Sequence, residues 1–446
     1  METTKLNDYR WLASDDAEPY LARAAAGERS TVALIKSLRQ ELSPSRTRLV
    51  VDQIELRERA KQKFADADKM LFTRKLLEQA TDQRSARYKA SRFPSDSHTV
   101  DLCCGLGGDL LALADHGPSL GIDIDPISAL LANENCQRLE RVMGSAQLGD
   151  ARRSAIETGT LWHIDPDRRA QGTRSINAEF WEPHVDALRH LIAKHPDGAI
   201  KLAPATVLPE DFAPEAEREW IGQSRACRQQ VAWIGNLSRH PSMHTATVLA
   251  RNERHAPVSI TGLPDRDVPV AAKLGSFVHE PHSAVLAGRL TGALAEIFGL
   301  QAITPRVAYL TSDRLIDDDA RLTTFEVVAA LPFDIKQVKA ALRKRKMGRL
   351  EIKHRGLQLD PDLLQKRLNV PGDHRGCLII VGGREKVLAI LTRRRAGGDA
   401  GSSLDICQME PQWSSPPVSF SSALSACQAT AVSTRVTSNA SAVSAS

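Results

Sequence analysis

Residues 98–114 read HTVDLCCGLGGDLLALA. A short apolar run closes on Asp101, a turn carrying Gly105, Gly107 and Gly108 follows, and LLALA continues as a helix. Residues 119–139, SLGIDIDPISALLANENCQRL, repeat the order of strand then helix. Two such units in succession open a parallel α/β sheet, because a parallel strand is reached through a helical crossover. Strand-like runs at 160–164, 198–202, 230–234 and 245–250 keep the spacing of a doubly wound sheet. The expected fold is α/β with a Rossmann-like core.

Glycine at this turn lets the backbone approach a ligand closely. A nicotinamide-binding turn would read GxGxxG, but Leu110 stands where the third glycine would be, so the turn suits a nucleoside without a pyrophosphate. Asp123, eighteen residues after Gly105 at the end of the apolar run SLGI, can accept both hydroxyls of a ribose. Asp125 points to the same face and competes for that role, although Asp125-Pro126 also reads as a helix cap. Asp150, in LGDAR, is the next acid at a strand-like end and by itself reads as a cap. Thr73 precedes the run RKLLEQA and either caps a helix or offers its hydroxyl to a carboxylate. The stretch DLCCGLGGD resembles the first motif of class I S-adenosylmethionine-dependent methyltransferases. That resemblance implies S-adenosyl-L-methionine as cofactor, held by Asp101, Gly105, Gly107, Gly108 and Asp123. It also implies Asp150 near the adenine amino group and Thr73 at the methionine carboxylate.

Residues 160–174, TLWHIDPDRRAQGTR, end a strand at Asp165-Pro166 and then present Asp167, Arg168, Arg169 and Arg174. Loops at the carboxyl ends of the strands line the active site in such a sheet, which makes Asp165, Pro166, Arg168 and Arg169 the candidate catalytic group. The position is similar to the [D/N/S]PP[Y/F/W] motif of amino-methylating enzymes, but Asp167 and Arg168 replace the second proline and the stacking aromatic. Tandem arginines suit a bidentate grip on phosphate or carboxylate, or an interdomain salt-bridge network. Methyl transfer from a sulfonium needs an oriented acceptor and a group to take its proton, and Asp165 is placed to do either. Lys201, in KLAPA after the fifth strand, either lines the acceptor side or lies in solvent. No cysteine occurs in the loop, and Cys103 and Cys104 at the glycine turn are expected to pack.

The chain has 446 residues, too many for a single core, and its 42% apolar and 25% charged residues are a globular composition. Residues 1–97 are expected as a helical segment, with helical spacing from about 19 to 82. Residues 98–270 hold the cofactor-binding α/β domain, 271–395 an α+β domain, and 396–446 a Ser- and Ala-rich disordered tail. Seven cysteines without a CxxC pair or a His cluster indicate neither a metal site nor a disulfide framework. No run approaches a membrane span and the N-terminus lacks a signal-peptide pattern, so no membrane partner and a cytoplasmic location are expected.

The net charge of +5 is modest, but residues 335–356, IKQVKAALRKRKMGRLEIKHRG, concentrate cations against a single Glu351. Lys339, Arg343, Lys344, Arg345, Lys346, Arg349 and Lys353 form a candidate phosphate-tracking surface, or else a solvated face. With aromatics at only 4%, nucleic-acid contact would rest on these cations more than on base stacking. From about Leu38 to Arg395, the succession FADADKMLFTRKLLEQAT, VDLCCGLGGDLLALA, GIDIDP, HIDPDRR, KLAPA, EPHSAVLAG, AYLTSD and LPFDIKQVKAALRKRKMGRLEIKHRG resembles a bacterial family of class I methyltransferases with a C-terminal THUMP-like domain. The resemblance implies methylation of structured RNA, tRNA or rRNA, presented by the basic domain. Two other readings stay open. One is a non-catalytic RNA-binding protein retaining the fold; the other is a methyltransferase for a small molecule or protein whose carboxylate Arg168 and Arg169 grip.

Overall fold

The computed structural model describes residues 2–26, 30–167, 181–209, 211–250, 255–305, 308–355, 357, 359–382 and 387–394. Arg168, Arg169 and the expected tail at 396–446 lie outside the described residues. The lead segment forms α1 (Glu2–Ala13), α2 (Glu18–Ala25), α3 (Thr31–Leu38), α4 (Pro44–Ala60), α5 (Arg74–Gln79) and α6 (Gln83–Ala90). Ser30, Ser43, Thr73 and Asp82 each start a helix by accepting a backbone N–H from the first turn. Helix α1 precedes the expected start at about residue 19. It escapes a periodicity reading because ETTKLNDYRWLA has only Tyr9, Trp11 and Leu12 in the core, all near its end.

The first sheet is built from β1 (Thr99–Leu102), α7 (Leu110–Ala114), β2 (Ser119–Asp123), α8 (Pro126–Arg138), β3 (Gly144–Leu148), β4 (Leu161–Ile164), α9 (Val185–Lys194), β5 (Gly198–Leu202), β6 (Glu217–Gln223), β7 (Ala226–Ile234), β8 (His244–Leu249) and β9 (Val258–Gly262). Its strand order is β3-β2-β1-β4-β5-β7-β6-β8-β9. The first five strands in that order are parallel, and the chain reverses direction of travel across the sheet between β1 and β4. That reversal leaves a crevice at the strands' carboxyl ends. One face buries Val100, Leu102, Trp162, Ile164, Ile200 and Leu202. On the α7–α8 side the lead segment is part of the core: Phe64, Met70 and Phe72 pack with Leu106, Leu110 and Ala132, and Leu38 and Val50 with Ile127 and Leu131.

Strand β6, EREWIGQ, has no apolar alternation, yet Glu217 and Glu219 are fully buried in it. Arg92 pairs with Glu217 at 2.6 Å and stacks over Trp233 at 4.6 Å, while Glu219 accepts from the Trp233 indole at 2.7 Å and from the hydroxyls of Tyr88 and Thr247. Buried charge of this kind is tolerated only when paired and hydrogen-bonded. The partners come from distant parts of the chain, so local sequence could not announce the strand.

The remaining elements are β10 (Phe277–Pro281), α10 (Ser283–Ala287), α11 (Thr291–Phe298), β11 (Gln301–Ala302), β12 (Leu310–Ser312), β13 (Leu322–Pro332), α12 (Ile335–Lys344), β14 (Met347–Arg355), α13 (Pro361–Leu368), β15 (His374–Gly382) and β16 (Val387–Arg394). Their sheet runs β11-β12-β10-β13-β16-β15-β14, antiparallel except for β14 and β15, which α13 connects. Helices α12 and α13 cover one face of it with Val338, Leu342, Leu364 and Leu368. Helices α10 and α11 are separated where Arg289 takes a left-handed φ of 58° and pairs with Asp265.

His282 caps α10: its Nδ1 accepts the Ala284 N–H at 3.0 Å and its Nε2 donates to the Ser224 carbonyl at 3.0 Å. Those roles require a neutral ring, and burial accordingly lowers its pKa below 6.5, the Ser224 bond opposing only in part. The unfolded chain therefore takes up the proton first, and the contribution of His282 to stability is present above about pH 6.5 and lost as pH falls. Urea midpoints should fall more steeply between about pH 7.5 and 5 in the wild type than in His282→Asn, which keeps a side-chain cap. Parallel falls would clear His282 of this role.

Candidate functional site

The chain leaves β1 through a turn in which Cys103, Gly105 and Gly107 all have positive φ, at 58°, 59° and 91°. Only glycine adopts this backbone without strain, and a Cβ added at Gly105 would meet nothing nearer than Leu76 at 3.9 Å, so open space lies over the turn. Gly108 faces the other way, against the lead segment, with its hypothetical Cβ 3.1 Å from the Thr81 carbonyl. Asp123, at the end of β2, accepts the Gly105 N–H at 2.9 Å on one oxygen and the Asp125 N–H at 2.9 Å on the other. Burial raises its pKa and these two amides counter the shift. Each oxygen retains a lone pair for a further donor.

Asp125 is consumed by capping α8, accepting the Ser128 N–H at 3.1 Å and the Ser128 hydroxyl at 2.7 Å. Of the two acids, Asp125 is spent on the helix cap, whereas Asp123 keeps accepting capacity on both oxygens. Beside it stand Ile124 and Leu148, each 61% exposed, the latter opposite Asp123 in register. They offer an apolar wall for a planar base. An apolar residue directly after a strand-end acid is the signal that could have found Ile124.

Asp101 lies beneath the turn. It is 1% exposed, its Oδ1 accepts from His163 Nδ1 at 2.7 Å, and its Oδ2 is buried without a hydrogen-bond partner. His163 Nε2 faces Lys89 Nζ at 3.3 Å, and Lys89 pairs with Asp109 at 2.7 Å. The Thr81 hydroxyl donates to Asp109 at 2.7 Å. These contacts form a buried line from Asp109 through Lys89 and His163 to Asp101. Burial works against the Asp109 charge, but Lys89, His163 and Lys201 outweigh it and hold the carboxyl below its usual range; burial lowers Lys89 and raises Asp101. Sequence reasoning missed Lys89, Thr81, Asp109 and His163. A lysine on a helix reads as solvated, and the register pairing Asp101 with His163 is a property of the sheet.

Asp165 leaves β4 beside the same turn, with its N–H on the Leu102 carbonyl at 3.3 Å, and its carboxylate forms an ion pair with Lys201 of β5. Lys201 is therefore not a solvated lysine: its side chain is 10% exposed, against 27% for Asp165. Across the strand ends the order is Asp123, Cys103, Asp165, Lys201. Pro166 is buried, and Asp167 exchanges two backbone hydrogen bonds with Glu182, at 2.8 and 2.9 Å. Cys103 and Cys104 are packed, with burial raising both thiols well above their usual value.

Thr73 caps α5, accepting the Leu76 N–H at 3.1 Å. Asp150 caps no helix. It sits in a turn and binds the Arg152 guanidinium through both oxygens, at 2.9 and 2.8 Å, which lowers its pKa.

Of the basic residues, Arg343, Lys344, Lys346 and Arg349 are exposed and Lys339 is half-buried. Two others face inward. Lys353 pairs with Glu280 at 2.8 Å, which outweighs burial and raises its pKa, and Arg345 donates to the Ala341 carbonyl at 3.1 Å. Their expected place on the open surface is corrected accordingly: β14 turns Lys353 towards the half-buried carboxylate of Glu280. Among the described residues no His, Cys, Asp or Glu cluster suits a metal ion, and no helix is long and apolar enough to cross a membrane.

The fold is that of class I methyltransferases. A Porphyromonas gingivalis W83 protein assigned as a methyltransferase aligns structurally over 88% of this chain and 99% of its own, with a TM-score of 0.66 and 19% identity. Two Mycobacterium tuberculosis proteins, from strains CDC 1551 and H37Rv, are each described as an uncharacterized S-adenosylmethionine-dependent methyltransferase. They are 29% identical over 316 residues, 70% of this chain and 84% of theirs. Residues 322–394 match the family described as THUMP domain-like. The chain therefore has the class I methyltransferase fold, is similar over most of its length to proteins described as S-adenosylmethionine-dependent methyltransferases, and carries a THUMP-like domain at residues 322–394.

Proposed function

We propose that this methyltransferase acts on structured RNA, tRNA or rRNA, in the cytoplasm, with residues 1–97 and 98–270 building the catalytic part and 271–395 docking the RNA. The observation that carries this reading is the run of exposed, weakly compensated cations at Arg343, Lys344, Lys346 and Arg349, with Lys339 half-buried beside them, which falls within the THUMP-like residues 322–394. Cations so arranged gain affinity for a phosphate backbone through counterion release. Gly105, Gly107 and Gly108 shape the cofactor turn, Asp123 takes the ribose hydroxyls, and Ile124 and Leu148 flank the base. Asp101, with its unpartnered buried oxygen, and Thr73 serve the amino acid end, and Asp150 borders the adenine through its pair with Arg152. S-adenosyl-L-methionine supplies an electrophilic methyl group. Asp165 and Pro166 orient the acceptor, and Asp165 accepts a proton from it.

Salt titration of tRNA binding is the test. Neutralising Arg343, Lys344, Lys346 and Arg349 together should lower the slope of log K against log salt by about 3, at roughly 0.7 to 0.9 per phosphate contact. Neutralising Lys353 alone should leave that slope unchanged. An unaltered slope in the fourfold variant would return the patch to ordinary solvation.

A further inference from the structure

We propose that the acceptor atom is a hydroxyl oxygen, which within RNA is the ribose 2′-hydroxyl, and that Lys201 is a catalytic residue beside Asp165; this rests on the RNA reading above. The two residues meet because the β4–β5 register pairs Ile164 with Ile200, and the next position on each strand carries a charge. Asp165 keeps an accessible side while the Lys201 ammonium is almost sealed behind it. Strand alternation places both on the face that carries His163 and Asp101, one strand from the glycine turn. Asp123 lies on the opposite flank of Cys103, so a nucleoside held there directs its reactive end towards the Asp165–Lys201 pair.

The sign of the charge developing on the acceptor distinguishes the chemistries. An amine nitrogen attacking a methyl sulfonium becomes positive, and a poorly screened ammonium next to it raises the barrier. A hydroxyl oxygen that gives up its proton becomes negative, and the same ammonium lowers the barrier as a preorganised donor. The sequence agrees: Arg168 stands where an enzyme that methylates a base amine would place a stacking ring. In the step, the oxygen–methyl bond forms as the methyl–sulfur bond breaks, its electron pair remaining on sulfur as a thioether. The hydroxyl proton passes to the Asp165 carboxylate and on to water, and Lys201 stays protonated throughout.

The full chain, incubated with total RNA and methyl-labelled cofactor, followed by digestion to nucleosides and fragmentation mass spectrometry, tests this directly. The label is expected on ribose, with the released base unmethylated. Label on the base overturns the inference and leaves the RNA reading standing. Absence of label from every RNA, with protein that binds S-adenosylhomocysteine, overturns both. Lys201→Met should lower the single-turnover rate about 100-fold or more while S-adenosylhomocysteine affinity changes less than about threefold, and Lys201→Arg should retain more of the rate. A Met variant within about threefold of the wild-type rate overturns the role of Lys201. A readout free of turnover is a crystal structure of the wild type without cofactor, which should show the Lys201 ammonium on the Asp165 carboxylate. A separated pair overturns the pairing itself. Should Lys201→Met fail to fold, the position of the label in the wild-type reaction still decides.

Discussion

Replacing Lys89 with methionine is expected to destabilise the protein by about 3 to 5 kcal/mol, the cost of leaving a buried carboxylate without its partner. Lys89 has a side-chain exposure of 2% and sits 2.7 Å from Asp109 and 3.3 Å from His163 Nε2. Without the ammonium, the Thr81 hydroxyl is the hydrogen-bond donor left to Asp109, and His163 loses the donor that keeps its proton on the nitrogen facing Asp101. The effect should reach beyond stability, because Asp109 is the N-cap residue of α7, directly after the glycine turn. Urea unfolding would give the first quantity, and titration with S-adenosylhomocysteine of the fraction still folded the second. A loss below about 1 kcal/mol would mean that water replaces the ammonium and that the buried line is not a unit.

Asp123→Ala should weaken S-adenosylhomocysteine binding about 100-fold or more in isothermal titration, since two hydrogen bonds to a charged group, at about 1.5 to 3 kcal/mol each, disappear together. Asp125→Ala provides the contrast. Its carboxylate caps α8, so that variant should lose about 1 kcal/mol of stability and leave affinity nearly unchanged. Equal loss of binding in both variants would assign the ribose contact to the pair and refute the division of labour derived from Asp123 and Asp125.

The glycine turn and its neighbouring strands were legible because each depends on local constraints. Positive φ at Gly105 and Gly107 demands glycine, Asp125-Pro126 is a helix start of fixed chemistry, and β1, β2, β4 and β5 are apolar because both sheet faces are covered. Strand β6 was illegible for the opposite reason. Its Glu217 and Glu219 look solvated until Arg92, Tyr88 and Thr247 arrive from elsewhere in the chain. The basic stretch was legible as a concentration of charge, but which cations face outward was not, because only β14 pairing and Glu280 withdraw Lys353.

By itself, then, the order of residues determined a nucleoside-binding α/β sheet, the acid at the end of β2 and the strand-end Asp165-Pro166, all set by short-range backbone and periodicity requirements. Tertiary structure alone decided that Asp165 pairs with Lys201, that Asp101 is tied through His163 and Lys89 to Asp109, and that the lead segment packs against the glycine turn. The physical reason is that a buried charge is stable only opposite its partner, and sheet register and helix packing choose that partner over separations the sequence does not encode locally.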